Sequence, residues 1–155
     1  MRQLFAIALF MYAGSAFAQT TAEPTSQFTI AGEVEKESII TIDSLKQYKI
    51  AEIGDIKVTD HTGGFKHQDD KLKGILLKDI LSHTKFKTTS PKFLSRFYII
   101  CTGADGYKVV YSWNELYNTT VGEHVYIIME KNGIKADKMP ESMQSSACFP
   151  AFYPP

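Results

Sequence analysis

The sequence is short of the features that mark several common classes of protein. It has only two cysteines, Cys101 and Cys148, so at most one disulfide can form and a disulfide-framework fold is excluded. Seventeen basic residues balance seventeen acidic ones, which argues against a nucleic-acid partner. The four histidines lack a metal-ligand spacing, and no nucleophile elbow, phosphate loop or cysteine-pair zinc motif occurs. Hydrolase, nucleotide-binding and zinc-site functions therefore have no support.

Long hydrophobic runs are absent as well, and the one apolar run near the start is short. Arg2 precedes the apolar stretch Leu4 to Phe10, and Ala16-Phe17-Ala18 supplies a small-x-small cleavage site. This pattern predicts a secretory signal peptide over residues 1–18, cleaved after Ala18. No run reaches the roughly 20 apolar residues that a spanning helix needs. We therefore expect a periplasmic or secreted protein without stable membrane insertion.

The remainder of the chain has the length of one domain. Residues 19–27 are rich in Thr, Ser, Pro and Glu and are predicted to be a flexible lead-in. Residues 28–139 carry the apolar periodicity of a domain, and residues 140–155 form an irregular tail that ends on prolines. Short strands alternate with short helices in this domain. That order predicts an α+β fold with a mixed or antiparallel sheet and short helices.

The clearest local signals lie between Phe97 and Leu116. Two apolar, β-branched runs, Phe97 to Cys101 and Tyr107 to Tyr111, flank a turn cluster and predict a β-hairpin. The second run leads into Ser112-Trp113-Asn114-Glu115, which has the form of a capping box. Tyr111 and Leu116 occupy the two positions of a hydrophobic staple. A helix is therefore predicted to begin directly after the hairpin.

Other segments give weaker predictions. Thr41 or Asp43 is expected to cap a brief helix over residues 44–48, because short oxygen-bearing side chains satisfy the free N–H groups of a first turn. The alternation over Ile50 to Thr59 predicts a strand, and Phe65 to Lys71 is predicted to be a polar, exposed segment. Gly74 is expected at the bend that enters a helix containing Leu77, Ile80 and Leu81. After the apolar strand Val125 to Met129, Asn132-Gly133 predicts a tight hairpin turn, followed by only a short returning strand.

Taken in order, these segments resemble a known family. The segments GEVE, ITIDSL, LKGILLKDIL, GADGYKVVYSWNEL and VYIIMEKNG, within Phe28 to Gly133, look like the stand-alone molybdopterin-binding domain of the sulfite oxidase fold. The resemblance implies a molybdenum cofactor, oxidoreductase chemistry and a redox partner protein. In catalytic members one Cys thiolate binds molybdenum beside the pterin dithiolene, and Cys101 is the residue that matches. A soft thiolate suits such a metal centre.

The chain also departs from the family pattern. No Arg-Asn-His segment precedes Ile50, the later basic segment is not evident, and the family's closing strand does not follow Asn132-Gly133. These departures favour an alternative, in which the protein is a non-catalytic module that binds a small-molecule ligand or a partner protein on the same fold. Fold alone does not decide between the two functions.

Each candidate site residue has a simpler interpretation beside the functional one. Cys101 is either a molybdenum ligand or a small packed hydrophobe, and a bridge to Cys148 is a third alternative. Asp105, Gly106 and Tyr107 either line a cofactor pocket or form an ordinary turn, in which Gly106 takes a positive φ. Trp113 either covers a ligand or packs at the first turn of the helix. Arg96 has the planar fork that binds an anion, but as a single arginine it is expected to be a surface charge.

Overall fold

The computed structural model describes residues 26–103, 106–139 and 149–150. Three short α-helices and three 3₁₀ turns connect the strands. The helices are α1 (Ile42–Leu45), α2 (Leu77–Leu81) and α3 (Trp113–Asn118), and the 3₁₀ turns are Pro91–Arg96, Thr120–Glu123 and Ala136–Lys138. The strands are β1 (Gln27–Ile30), β2 (Ser38–Thr41), β3 (Ala51–Thr59), β4 (Phe65–Leu76), β5 (Tyr98–Thr102), β6 (Lys108–Ser112), β7 (Val125–Lys131), β8 (Ile134–Lys135) and β9 (Phe149–Pro150).

The strands form one central sheet and two separate hairpins. The central sheet has the order β3-β4-β7-β8, with β9 also paired to β7, and β1-β2 and β5-β6 are two-stranded. Every strand pairing in the described residues is antiparallel. The prediction of an α+β fold with short helices is confirmed, and the sheet is antiparallel. No helix in the described part of the chain is long and apolar enough to cross a membrane.

Two apolar clusters lie on opposite faces of the central sheet. Because side chains alternate along β7, Val125, Ile127 and Met129 face one way and Ile128 faces the other. The larger cluster includes the buried residues Leu45, Ile75, Leu77, Ile80, Leu81, Tyr111, Leu116, Val125, Ile127, Met129 and Ala136. Leu72, Ile128 and Met139 form the smaller one. The three α-helices each contribute to the larger cluster, so it is the main core.

Of the two predictions for β4, one is confirmed and one is wrong. Phe65 to Lys71 is polar and largely exposed, as predicted, and it forms the first half of this strand, where only β3 pairs with it. Gly74 does not form a bend, since it lies inside the strand opposite Ile128 of β7. A Cβ on Gly74 would lie 2.9 Å from both the Ile127 carbonyl oxygen and the Tyr126 Cβ. The glycine therefore permits close approach of β7.

Two predicted helices are present, although the start of the first differs from the prediction. Thr41 caps α1, accepting a bond from the Ser44 backbone N–H, and the helix begins two residues earlier than predicted. The helix containing Leu77, Ile80 and Leu81 is α2, as predicted. Asn132 and Gly133 have φ values of 55° and 77°, as a type I′ hairpin turn requires, and the returning strand β8 has two residues.

Candidate functional site

The β5–β6 hairpin carries or adjoins the residues that the sequence singled out. Tyr98 pairs with Ser112 and Ile100 pairs with Val110, without a register shift. The Gly103 N–H donates to the Tyr107 carbonyl oxygen at 2.7 Å and closes the ladder next to the connecting loop. Gly106 in that loop has a φ of +82°, which confirms the prediction of a positive φ there. The predicted hairpin is therefore present, with strands β5 and β6.

The inner face of the hairpin packs onto the main core. Cys101, Ile99 and Val109 are half-buried against it, and Tyr111 is buried within it. Cys101 lies opposite Val109 in the register and is the last but one residue of β5. Cys101 is therefore partly buried and packs against apolar core side chains, as a small hydrophobic residue does.

The outer face of the hairpin consists of Tyr98, Ile100 and Val110, with Thr102 and Lys108 at one end. The exposed fractions of Tyr98, Ile100 and Val110 are 67%, 50% and 58%. Side chains alternate along each strand, so these residues point away from the core that Cys101 contacts. Tyr107, beside the connecting loop, is 66% exposed. The hairpin thus presents contiguous apolar side chains to solvent.

The capping box joins this hairpin to α3. The Ser112 Oγ accepts from the Glu115 N–H at 3.1 Å, and the Glu115 Oε2 accepts from the Ser112 N–H at 2.7 Å. The bond from the Ser112 N–H to the carboxylate, with a smaller contribution from the Ser112 hydroxyl, lowers the pKa of the Glu115 carboxyl. Tyr111 and Leu116, the predicted staple residues, are both buried in the main core. The prediction of a capped helix start is confirmed, and it fixes the angle between β6 and α3.

Replacing Ser112 with alanine is expected to destabilise the fold by about 1 kcal/mol, because it leaves the Glu115 N–H without its acceptor. Urea unfolding of the two proteins measures the difference. Ser95→Ala is the control, since its hydroxyl donates to the Lys92 carbonyl in an exposed turn and caps no α-helix. Equal losses for the two variants would contradict a special role for the cap.

Trp113 belongs to an aromatic cluster at the first turn of α3. Its ring stacks on Tyr117 with the centroids 4.0 Å apart, and it meets Phe86 edge-on at 5.2 Å. Phe86 also meets Phe97 edge-on at 6.0 Å. One face of the Trp113 ring is therefore covered by a neighbouring side chain, which agrees with the packing interpretation of this residue.

Tyr117 in the same cluster has a buried phenol oxygen with no hydrogen-bond partner in the described residues. Burial, with a smaller contribution from the Asp79 carboxylate, raises the pKa of Tyr117 to about 12. The neutral phenol is therefore the form that the fold accommodates. A buried hydroxyl without a partner lowers stability because its bonds to water are lost.

We expect Tyr117→Phe to be at least as stable as the parent protein at neutral pH, since it removes this unpartnered hydroxyl. The raised pKa favours the fold below the unfolded value of 10.0, and that contribution is lost as the pH rises towards about 12. In Tyr117→Phe, this part of the loss of stability at alkaline pH should be absent. Urea unfolding of both proteins at several pH values measures the difference. Tyr126→Phe is the control, because the Tyr126 hydroxyl donates to the Glu123 carbonyl at 3.1 Å. Lower stability of Tyr117→Phe at neutral pH would contradict the expectation.

The predicted cofactor residues differ in their surroundings. Cys101 faces the core, Gly106 and Tyr107 are exposed beside the loop, and Trp113 lies in the aromatic cluster. Asp105 lies outside the described residues. A molybdopterin presents its metal to a thiolate, and among these residues Cys101 carries the thiol, half-buried against the main core.

Other candidates are placed as follows. Cys148 lies outside the described residues, so its pairing with Cys101 stays untested. Arg96 is exposed, with its guanidinium carbon 4.5 Å from the centre of the Phe93 ring. Within the described part of the chain, no group of three or more His, Cys, Asp or Glu side chains is arranged to hold a metal ion.

Sequence analysis did not identify two surface features. One is an open groove of about 580 Å³, lined by residues 35–39 and 83–85, with charges of both signs. The other is the outer face of the hairpin. The sequence does contain a sign of this outer face. Residues Tyr98 to Ile100 and Val109 to Tyr111 are apolar at every position, so both faces of the hairpin must be apolar, including the one that faces solvent.

The comparisons with known proteins identify no relative. No protein-family model, curated protein or solved structure matches this chain.

Proposed function

We propose that the protein is an exported, non-catalytic binding module that engages a partner protein through the outer face of the β5–β6 hairpin. The observation that carries the proposal is the exposure of Tyr98, Ile100 and Val110 on one side of a two-stranded sheet. Contiguous apolar side chains of this size on a surface are typical of interaction sites, whereas single exposed ones are common. Tyrosine is also among the residues enriched in protein interfaces.

The scaffold supports binding by holding this face in place. The inner residues Ile99, Cys101 and Val109 pack on the main core, and the Ser112 capping box fixes the end of β6. A face held in this way loses little conformational entropy when a partner binds. The expected signal peptide at residues 1–18 supports the export that the proposal includes, and a periplasmic or secreted location follows from it.

Photo-crosslinking in the cells that naturally produce the protein tests the proposal. A benzophenone amino acid replaces Tyr98 in one variant and Phe65 in another; Phe65 is the control because its exposed fraction, 68%, matches that of Tyr98. Illumination should give a protein adduct at position 98 and not at position 65. Adding Val110→Lys, which charges the same face, should remove the adduct. No adduct at position 98, or one that survives Val110→Lys, would refute the proposal.

Binding of a molybdopterin cofactor on a sulfite-oxidase-type fold is the second candidate that we propose, with oxidoreductase chemistry and a redox partner. It rests on the resemblance of the segments between Phe28 and Gly133, and on the position of Cys101 near the end of β5, beside the loop. A cofactor bound there would supply the redox chemistry. Its thiolate ligand would have to come from Cys101.

Production in a host that makes the cofactor, followed by elemental analysis, tests this candidate. Molybdenum should co-purify with the parent protein and with Cys148→Ser, and should be lost in Cys101→Ser. Absence of molybdenum, or an equal amount in Cys101→Ser, would refute it. Labelling of the folded protein with a thiol reagent gives a second measurement: a packed Cys101 should react slowly, and an accessible thiolate quickly.

A further inference from the structure

The register of the β5–β6 hairpin shows which backbone groups of β5 face away from β6. The Trp113 N–H donates to the Phe97 carbonyl oxygen at 2.9 Å, and the Gly103 N–H donates to that of Tyr107. In an antiparallel pair, hydrogen-bonded and non-hydrogen-bonded positions alternate. The backbone groups of Ile99 and Cys101 therefore face β6. Those of Tyr98, Ile100 and Thr102 face the opposite, outer edge of β5.

No described strand pairs with this outer edge. The same three residues have exposed side chains. The edge therefore combines a row of N–H and C=O groups with apolar side chains on the adjoining outer face, which is the surface that an extended peptide binds when it adds a strand to a sheet.

The other long edge strand, β3, is protected against such pairing, and β5 is not. Exposed Glu52, Asp55 and Lys57 lie along β3, and its register with β4 is interrupted by several irregularities. Charged side chains and bulges are the usual protection of an edge strand. Strand β5 has neither, since Tyr98 to Thr102 carries no charge and its register is continuous.

The outer edge of β6 is less available than that of β5. The Ser112 N–H, which faces this edge, is already bonded to the Glu115 carboxylate at 2.7 Å. Lys108, at the other end of the strand, is charged and exposed. Within the hairpin, β5 thus presents the open edge.

We infer that the outer edge of β5 binds an extended segment of the partner protein, with apolar residues at alternate positions and acidic residues at its ends. This inference rests on the proposed binding function and names its partner segment. The charge of the partner follows from the charges near β5. Arg96 lies just before the strand and Lys108 lies opposite Thr102, and both are exposed. Asp105 lies outside the described residues.

A second copy of the chain suits this edge less well. Antiparallel self-pairing centred on Ile100 would place Tyr98 opposite Thr102 of the other copy. The Arg96 end of one strand would then lie beside the Lys108 end of the other, which brings like charges together.

A synthetic peptide, in which valine alternates with threonine between pairs of glutamates, is the probe for the full-length protein. Its dissociation constant is measured by fluorescence polarisation. The matched control is the same peptide with N-methylated valine amides, which keeps the side chains and removes backbone donors. We expect the control to bind about tenfold more weakly or worse, because each backbone bond contributes a modest net free energy. A lysine-flanked peptide should also bind more weakly.

Two protein variants locate the edge. Ile100→Pro removes an N–H that faces the outer edge and leaves the bonds between β5 and β6 in place, since proline is tolerated where the N–H faces solvent. Ile100→Ala is the control, because it also shortens the side chain but keeps this N–H. Ile100→Pro should lose binding and Ile100→Ala should bind more tightly than Ile100→Pro, since only the proline variant lacks the N–H. The N-methylated peptide needs no change to the protein, so it decides the question if a variant fails to fold.

The outcomes separate this inference from the proposed function. Equal affinity for the two glutamate-flanked peptides would overturn strand addition and leave binding by the outer face intact. No detectable binding of the parent peptide would overturn the assigned partner chemistry, while photo-crosslinking at position 98 judges the proposed function independently. If the protein self-associates and Ile100→Pro abolishes this self-association, the edge binds a second copy of the chain and the inference is wrong.

Discussion

Replacing Gly122 with alanine is expected to destabilise the fold by about 3 kcal/mol or more. A Cβ at this position would lie 1.7 Å from the Leu116 carbonyl oxygen and 2.7 Å from the Leu116 Cα. These are backbone atoms, so no rotation of a side chain relieves the overlap. The turn Thr120–Glu123 would have to move away from α3, and Leu116, which is 1% exposed, would lose its packing in the main core.

Urea unfolding of Gly122→Ala measures the effect, and Gly63→Ala is the matched control. A Cβ on Gly63 would meet no atom within 4 Å, so only its φ of +85° opposes the substitution. The cost of such a backbone conformation is about 1 to 2 kcal/mol. If the two variants lose equal stability, the close approach of Gly122 to α3 is not required.

The parts of the fold that sequence analysis predicted correctly are those encoded by neighbouring residues. The capping box at Ser112 and Glu115 and the turn at Asn132-Gly133 are each specified within a few positions of the chain. The alternation that predicted β3 is similarly local. Because short-range chemistry decides these elements, one sequence is enough to place them.

What the sequence did not show depends on distant segments. The exposure of Phe65 to Lys71 was predicted, but its pairing with β3 was not, because the segment has no apolar alternation typical of a strand. The sequence around Gly74 suggests a bend. In the structure this glycine instead allows Tyr126 and Ile127, in a strand some fifty residues later in the chain, to approach β4 closely. Neither cause is visible in the local sequence.

The candidate site was predictable in position but not in orientation. The sequence places Cys101 near the end of β5. Because both faces of the hairpin are apolar, the sequence does not show which face packs on the core. Its packing on the core follows from the pairing of Cys101 with Val109 and from the side of the hairpin that α3 and the central sheet cover. The exposed face with Tyr98 and Ile100 follows from the same pairing.

A second large effect is expected where the β7–β8 turn contacts β4. Asp69 is 7% exposed, and its carboxylate lies 3.3 Å from the Lys131 Nζ and 3.5 Å from the Nε2 of the more exposed His67. Next to this ion pair, the Asp70 N–H donates to the Asn132 Oδ1, and the Asn132 N–H donates to the Asp70 carbonyl, both at 2.7 Å. The ion pair and these two bonds join the turn to β4.

Lys131→Met should destabilise the fold by about 3 kcal/mol, because it leaves the Asp69 carboxylate buried without its principal cation. Urea unfolding measures the loss. Lys73→Met is the matched control: the Lys73–Glu130 pair has the same 3.3 Å separation, but its side chains are more exposed, so its loss should cost about 1 kcal/mol or less. The double variant Asp69→Leu with Lys131→Met should recover most of the stability, since apolar residues can replace a buried ion pair. Equal losses for Lys131→Met and Lys73→Met, or no recovery in the double variant, would show that the buried charge of Asp69 is not what makes Lys131 necessary.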